Sequence, residues 1–88
     1  MAQVLAVVKI FPKSIETNLE SLKDEIRKAL THDFTIHSFN EEPIAFGLVA
    51  LIANILMEDS TGNIDRMESS INDLADVSQI EVTRVMRI

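Results

Sequence analysis

Alternation between apolar and polar positions opens the chain. In the segment 3–11, Val4, Ala6, Val8 and Ile10 form a wholly apolar face, and Gln3, Leu5, Val7 and Lys9 form a mixed one. A period of two predicts a strand with one packed and one partly wet face, closed by Pro12. After Pro12 the period changes. Leu19, Leu22, Ile26 and Leu30 recur at steps of three and four, with Glu20, Lys23, Asp24, Arg27 and Lys28 between them. This predicts an amphipathic helix over 18–30. Thr17-Asn18-Leu19-Glu20 matches a capping box with Thr17 as the cap, and Glu20–Asp24 and Lys23–Arg27 read as like-charge pairs.

The segment 34–42 is a second, more polar strand, suited to a sheet edge and ended by Pro43, which cannot donate to a ladder. The run 47–57 has no charge and no polar stripe, and lies between Pro43 and the turn at 59–62. It predicts a fully buried central strand. Ile64, Met67, Ile71 and Leu74 give a second helix, capped by Thr61 or Asn63, and the alternating segment 79–87 gives a last strand. The order is strand, helix, strand, strand, helix, strand. With right-handed crossovers, both helices are buried on one sheet face by a ferredoxin-like βαββαβ sandwich of the α/β class. Its four-stranded antiparallel sheet has the order 4-1-3-2, with the apolar strands central.

Length and charge narrow the function. Eighty-eight residues support one domain, 1–88. A net charge of −6 weighs against a general nucleic-acid binder, which needs a basic face. The longest charge-free run, 43–57, is shorter than the roughly 20 apolar residues of a membrane-crossing helix. The start, Met1-Ala2-Gln3-Val4, has no basic lead-in, and a cytoplasmic location is expected. There is no cysteine, which removes disulfides, thiolate metal sites and cysteine nucleophiles.

Catalytic material is sparse. His32 and His37 lack an i, i+4 partner, and no serine sits in a nucleophile elbow. Glu41-Glu42 and Glu58-Asp59 are adjacent residues that point to opposite faces of a strand. Asp59, Asp65 and Glu68 read as an acidic helix N-terminus rather than a metal loop. Gly47 and Gly62 are the only glycines, too few for a phosphate-cradling loop. RNA-recognition domains share the topology but carry stacking aromatics on their central strands, which this chain lacks. No cofactor or metal is expected.

Two features remain. In Glu41-Glu42-Pro43-Ile44-Ala45-Phe46-Gly47-Leu48 an aromatic ring sits at a sheet corner, either plugging the core or standing outside it. In Arg84-Val85-Met86-Arg87-Ile88 a cation closes an acidic chain, either as a solubilising edge charge or as a functional group. The octapeptide at 41–48, the apolar strand after it and the final Ile-Glu-Val strand with its basic end resemble the archaeal elongation factor 1-beta family. That family matches the guanine-nucleotide-exchange domain of its eukaryotic counterpart, and the resemblance spans essentially the whole chain.

The resemblance implies a ferredoxin-like fold and nucleotide exchange on elongation factor 1-alpha, the GTPase that brings aminoacyl-tRNA to the ribosome. It implies that Phe46, with Pro43, Ile44 and Gly47, rests against the second domain of the GTPase. It also implies that Arg87, beside Ile88, enters the region of the bound magnesium and the phosphate-binding loop. A lysine stands there in eukaryotic members; arginine keeps the charge but changes the shape. Such a factor needs no cofactor, nucleic acid or membrane, and is expected to act as a monomer. The competing reading is a ferredoxin-like regulatory or ligand-binding module without exchange activity. A small acid–base enzyme using His37 and Glu41 explains less.

Overall fold

The computed structural model describes residues 2–30 and 32–88. Its elements are β1 (Gln3–Pro12), α1 (Leu19–Ala29), β2 (Phe34–Pro43), β3 (Val49–Glu58), α2 (Asn63–Asn72) and β4 (Val77–Arg87). The strands form one antiparallel sheet in the order β2-β3-β1-β4, the expected order read from the other edge. Val4, Ala6, Val8 and Ile10 of β1 meet Leu22 and Ile26 of α1 and Met67 and Ile71 of α2 in one core. Both helices therefore cover the same face of the sheet, as the two apolar stripes demand.

The opposite face is uncovered, and this corrects the expectation for β3. Leu51, Ala53, Ile55 and Met57 are buried, but Ile52, Asn54 and Leu56 are only half-buried. A run without charges does not separate a strand packed on both faces from one packed on one face. On the uncovered face the apolar residues rely on cross-strand neighbours: Leu5 lies opposite both Leu56 and Met86. Lys9 reaches Glu42 across this face at 2.6 Å and lies 5.5 Å from the centre of the Phe11 ring.

Helix ends differ from the sequence reading in an instructive way. Asn18, not Thr17, caps α1: its side-chain oxygen accepts from the Ser21 N–H at 3.1 Å. Thr17 instead accepts from the Ser14 N–H at 3.3 Å, inside the preceding turn. Two adjacent residues can each cap, and sequence spacing does not choose between them. The like-charge neighbours along α1 are each engaged by an opposite charge. Lys23 bonds Glu20 at 2.9 Å and Arg27 bonds Asp24 at 2.7 Å, both at i, i+3. Lys23 also reaches Glu41 of β2 at 3.4 Å, so its pKa is raised, first by the hydrogen bond to Glu20 and against the cost of desolvation.

Neither Thr61 nor Asn63 caps α2. Gly62 does so with φ of 87° and no side-chain bond. Asn63 is buried inside the first turn, donating to the Glu58 carbonyl and accepting from Arg66, each at 3.0 Å. Arg66 continues to Asp33 at 2.6 Å, which ties α2 to the start of β2. Both edge strands carry a register break. In β2 it falls between Ile36 and Ser38, leaving His37 without a partner. In β4 one falls opposite Val7 and Val8, where Thr83 donates its hydroxyl to the Val7 carbonyl at 3.0 Å, and a second falls opposite Phe11 and Pro12.

Two outcomes follow from these contacts. Asn18→Ala removes the cap and is expected to lower stability by about 1 kcal/mol in denaturant unfolding. Thr17→Ala, which leaves the cap in place, is expected to cost less. Glu25 of α1 has its pKa raised, first by desolvation and then by the charge and hydrogen bond of Asp76, with Lys28 opposing. A carboxyl raised in the folded state contributes most when protonated, and that contribution is lost as pH rises through its folded pKa. Glu25→Gln is therefore expected to raise the melting temperature at neutral pH. Melts repeated below the ordinary carboxylate range are expected to show no difference.

Candidate functional site

Pro43 is the last residue of β2, and the chain turns before Val49 starts β3. The Leu48 N–H donates to the Ala45 carbonyl at 3.0 Å, so Phe46 and Gly47 are the two central residues of a tight turn. Both have positive φ, 57° and 80°. This is the pattern of a type I′ hairpin turn, where Asn-Gly or Asp-Gly is the favoured pair. Phenylalanine in a left-handed conformation costs roughly 1–2 kcal/mol, because its Cβ crowds the backbone. Its ring does not recover that cost by burial: Phe46 is 96% exposed. Of the two readings of this residue, the core plug is thus excluded. Ile44 is half-buried and donates its N–H to the Leu48 carbonyl at 2.8 Å, closing the neck of the turn. Gly47 lies at the sheet end against Ile15, whose Cγ2 stands 3.7 Å from the position a Cβ would take.

The second candidate lies at the other end. Arg87 of β4 is opposite Val4, at the start of β1, and the Ile88 N–H donates to the Gln3 carbonyl at 3.0 Å. The pairing of β4 with β1 thus continues to the last residue. The Arg87 side chain is 73% exposed and forms an ion pair with Asp59. It is therefore not the unpartnered cation that its place in an acidic chain suggests. Asp59 extends β3 along the other side of β1, donating its N–H to the Ala2 carbonyl. Sheet order brings the two together across the start of β1, and no local pattern announces a partner so distant in sequence. This also corrects the placement of Asp59 with the acidic helix N-terminus, where only Asp65 lies in the first turn of α2.

The hairpin turn and Arg87 do not form one pocket. β1 runs antiparallel to both neighbours, so the turn lies beyond its Pro12 end and Arg87 beside its Val4 end. A ten-residue strand at about 3.3 Å per residue separates the two by roughly 30 Å. The molecule is 42 Å along its longest axis.

The other candidate groups among the described residues are not brought together. His37 is exposed at the β2 register break, and Glu41 is engaged by Lys23. Among the described residues no three His, Asp, Glu or Cys side chains are grouped to hold a metal ion. A polar cleft of about 360 Å³ runs between the start of β2 and α2, lined in part by His32, Asp33 and Arg66. Among the described residues no helix is long and apolar enough to cross a membrane.

Known proteins align with this arrangement along its length. The chain is 41% identical over 88 residues to elongation factor 1-beta of Methanothermobacter thermautotrophicus, covering 100% of this chain and 99% of that protein. It is 44% identical over 89 residues to elongation factor 1-beta of Staphylothermus marinus, with the same coverage. The C-terminal domain of the MgtC protein from Mycobacterium tuberculosis superposes with a TM-score of 0.64 at 17% identity, over 90% of this chain and 83% of that one. That likeness concerns the fold alone. The model of the EF-1 guanine nucleotide exchange domain matches residues 5–88, which include both ends of the sheet. The competing ligand-binding module has no such support, and the chain belongs to the EF-1 guanine nucleotide exchange domain family.

Proposed function

We propose that this exchange domain, acting as a single unit over residues 1–88, grips elongation factor 1-alpha at two points and opens its nucleotide site. Pro43, Ile44, Phe46 and Gly47 form the docking point, resting on the GTPase's second domain. Arg87, with Ile88 beside it, forms the working point at the region of magnesium and phosphate. The observation that carries this reading is the conformation of Phe46. A phenylalanine that is strained at a turn tip and 96% exposed makes poor sense for folding and good sense for recognition.

The mechanism is competition for charge. A nucleoside diphosphate is held largely through magnesium and phosphate contacts, and a guanidinium entering that region competes for the same negative groups. To enter, Arg87 exchanges Asp59 for the partner's groups. An exposed ion pair of this kind is worth at most about 1 kcal/mol, so the exchange is not a large obstacle. The sheet couples the two points: docking at one end places the cation at the other with no rearrangement beyond the release of Arg87 from Asp59. The factor stabilises the nucleotide-free GTPase and is released when nucleotide returns, a reciprocal coupling. No bond is made or broken by this chain, so no acid–base pair, cofactor or metal of its own is required. The domain works as a cytoplasmic monomer, with no contact to nucleic acid or membrane.

The two points separate in kinetics. Phe46→Ala is expected to raise the concentration of factor needed for half-maximal GDP release by at least about 30-fold, the equivalent of a ~2 kcal/mol anchor. Its melting temperature is expected to stay near that of the parent, since the ring is outside the core. Arg87→Ala is expected to lower the maximal rate of release at saturating factor while complex formation changes little. Stopped-flow release of labelled GDP at several factor concentrations gives both quantities. An Arg87→Ala protein that reaches the parental maximum would exclude the inserted-cation mechanism and turn attention to Arg84 or the backbone.

A further inference from the structure

The exposed large hydrophobic residues among the described residues are Ile15, Phe46, Val85 and Ile88. They fall in two pairs at the two ends of the sheet. Val85 and Ile88 flank Arg87, and Ile15 stands beside Gly47, the chain neighbour of Phe46. Ile15 belongs to the connector between β1 and α1, a segment with no part in the two points described so far.

The connector is built to show this residue. The Thr17 hydroxyl accepts from the Ser14 N–H at 3.3 Å, the Ser14 hydroxyl accepts from the Glu16 N–H at 3.2 Å, and the Thr17 N–H donates to the Ser14 carbonyl at 3.3 Å. The polar side chains are turned onto the backbone, and the isoleucine is left 66% exposed at the outside of the turn. A surface turn ordinarily does the reverse, placing polar groups at its tip. The hairpin turn beside it shows the same inversion, with phenylalanine where asparagine is favoured. The two turns come together where the Ile15 Cγ2 stands 3.7 Å from the place a Gly47 Cβ would take, and a notch of about 50 Å³ lies between them, lined in part by Leu19 and Val49.

The two carboxylates leading into the hairpin are already paired, while Lys13 and Glu16, on either side of Ile15, form no ion pair among the described residues. Glu41 is paired with Lys23 at 3.4 Å and Glu42 with Lys9 at 2.6 Å. Apolar groups brought together from two segments, beside hairpin carboxylates that already have partners within the chain, suit an apolar surface on a partner.

We infer that Ile15 and Phe46 form one composite docking tip, and that Ile15 is a second apolar contact with the GTPase surface that receives Phe46. The inference rests on the two-point reading above and extends it to a segment outside the hairpin. It assigns the 14–17 turn a role in partner choice: the turn sets the width of the notch into which a ridge of the partner fits.

The test is a titration of GDP release from elongation factor 1-alpha by Ile15→Ser, Ile15→Leu and Phe46→Ala, with melting curves of each. Ile15→Ser is expected to raise the half-saturating concentration about 5- to 10-fold, to reach the parental maximal rate at saturation and to melt as the parent does. Ile15→Leu, which keeps the apolar area, is expected to restore most of the affinity. An unchanged half-saturating concentration for Ile15→Ser overturns the inference. So does a large loss of melting temperature with release that scales only to the folded fraction, because Ile15 then serves packing. If Phe46→Ala weakens docking and Ile15→Ser does not, only the composite tip is wrong. If neither variant shifts the titration, the docking point itself has been misplaced.

Discussion

The register of β1 against its two neighbours is the constraint from which the rest of the molecule follows. β1 is hydrogen-bonded to β3 on one side and β4 on the other, and its inward residues Val4, Ala6, Val8 and Ile10 are 0–7% exposed beneath both helices. A slip of one residue would turn Lys9 into the core, where an unpaired ammonium is not tolerated. The same register decides what stands at each end. It places Arg87 across from Val4 and brings Asp59 alongside Ala2, so the ion pair between them is a product of sheet alignment. At the opposite end it delivers Pro12, and with it the 14–17 turn, to the side of the β2–β3 hairpin.

The element order, the topology and the core were legible in the sequence because they depend on periodicity, which is local and redundant. The inward face of β1 and the stripe of Leu22, Ile26 and Leu30 on α1 could each lose a residue and still be recognised. Features decided by a single atom or a distant partner were not legible. Thr17 and Asn18 are both able to cap a helix, and the cap is Asn18, whose backbone is extended. The outward residues of β3 looked as apolar as the inward ones, so its uncovered face was hidden. Spacing alone left Phe46 either in the core or outside it, because a left-handed phenylalanine has no signature beyond the glycine after it; only the family resemblance implied the exposed ring that the structure shows. Asp59 and Arg87 are 28 residues apart in sequence, and only tertiary structure pairs them.

The scarcity of catalytic groups and the strain at Phe46 belong together. A protein that shifts a partner's equilibrium needs shape and charge held at fixed positions, not a titrating centre. Local agreement between sequence and structure is high through the core and breaks at the hairpin, where the favoured turn residue is replaced by one that folding does not want. Such a break is expected where another requirement competes with stability. Family membership supplies the nature of that requirement, and the proposed docking point at the hairpin is where it would act.

The register breaks at His37 and Thr83 carry a consequence for crowded solution. An open four-stranded sheet leaves one free edge on β2 and one on β4, and either is a template for strand addition by another copy. A flat strand approaching β2 would fall out of step at His37, and one approaching β4 would do so at Thr83, where the hydroxyl already holds the Val7 carbonyl. Each edge offers an intruder only a few consecutive rungs before the twist carries the ladder away. The irregularities thus act as interruptions in the thread, of the kind that disfavours the side-by-side addition of strands at bare sheet edges.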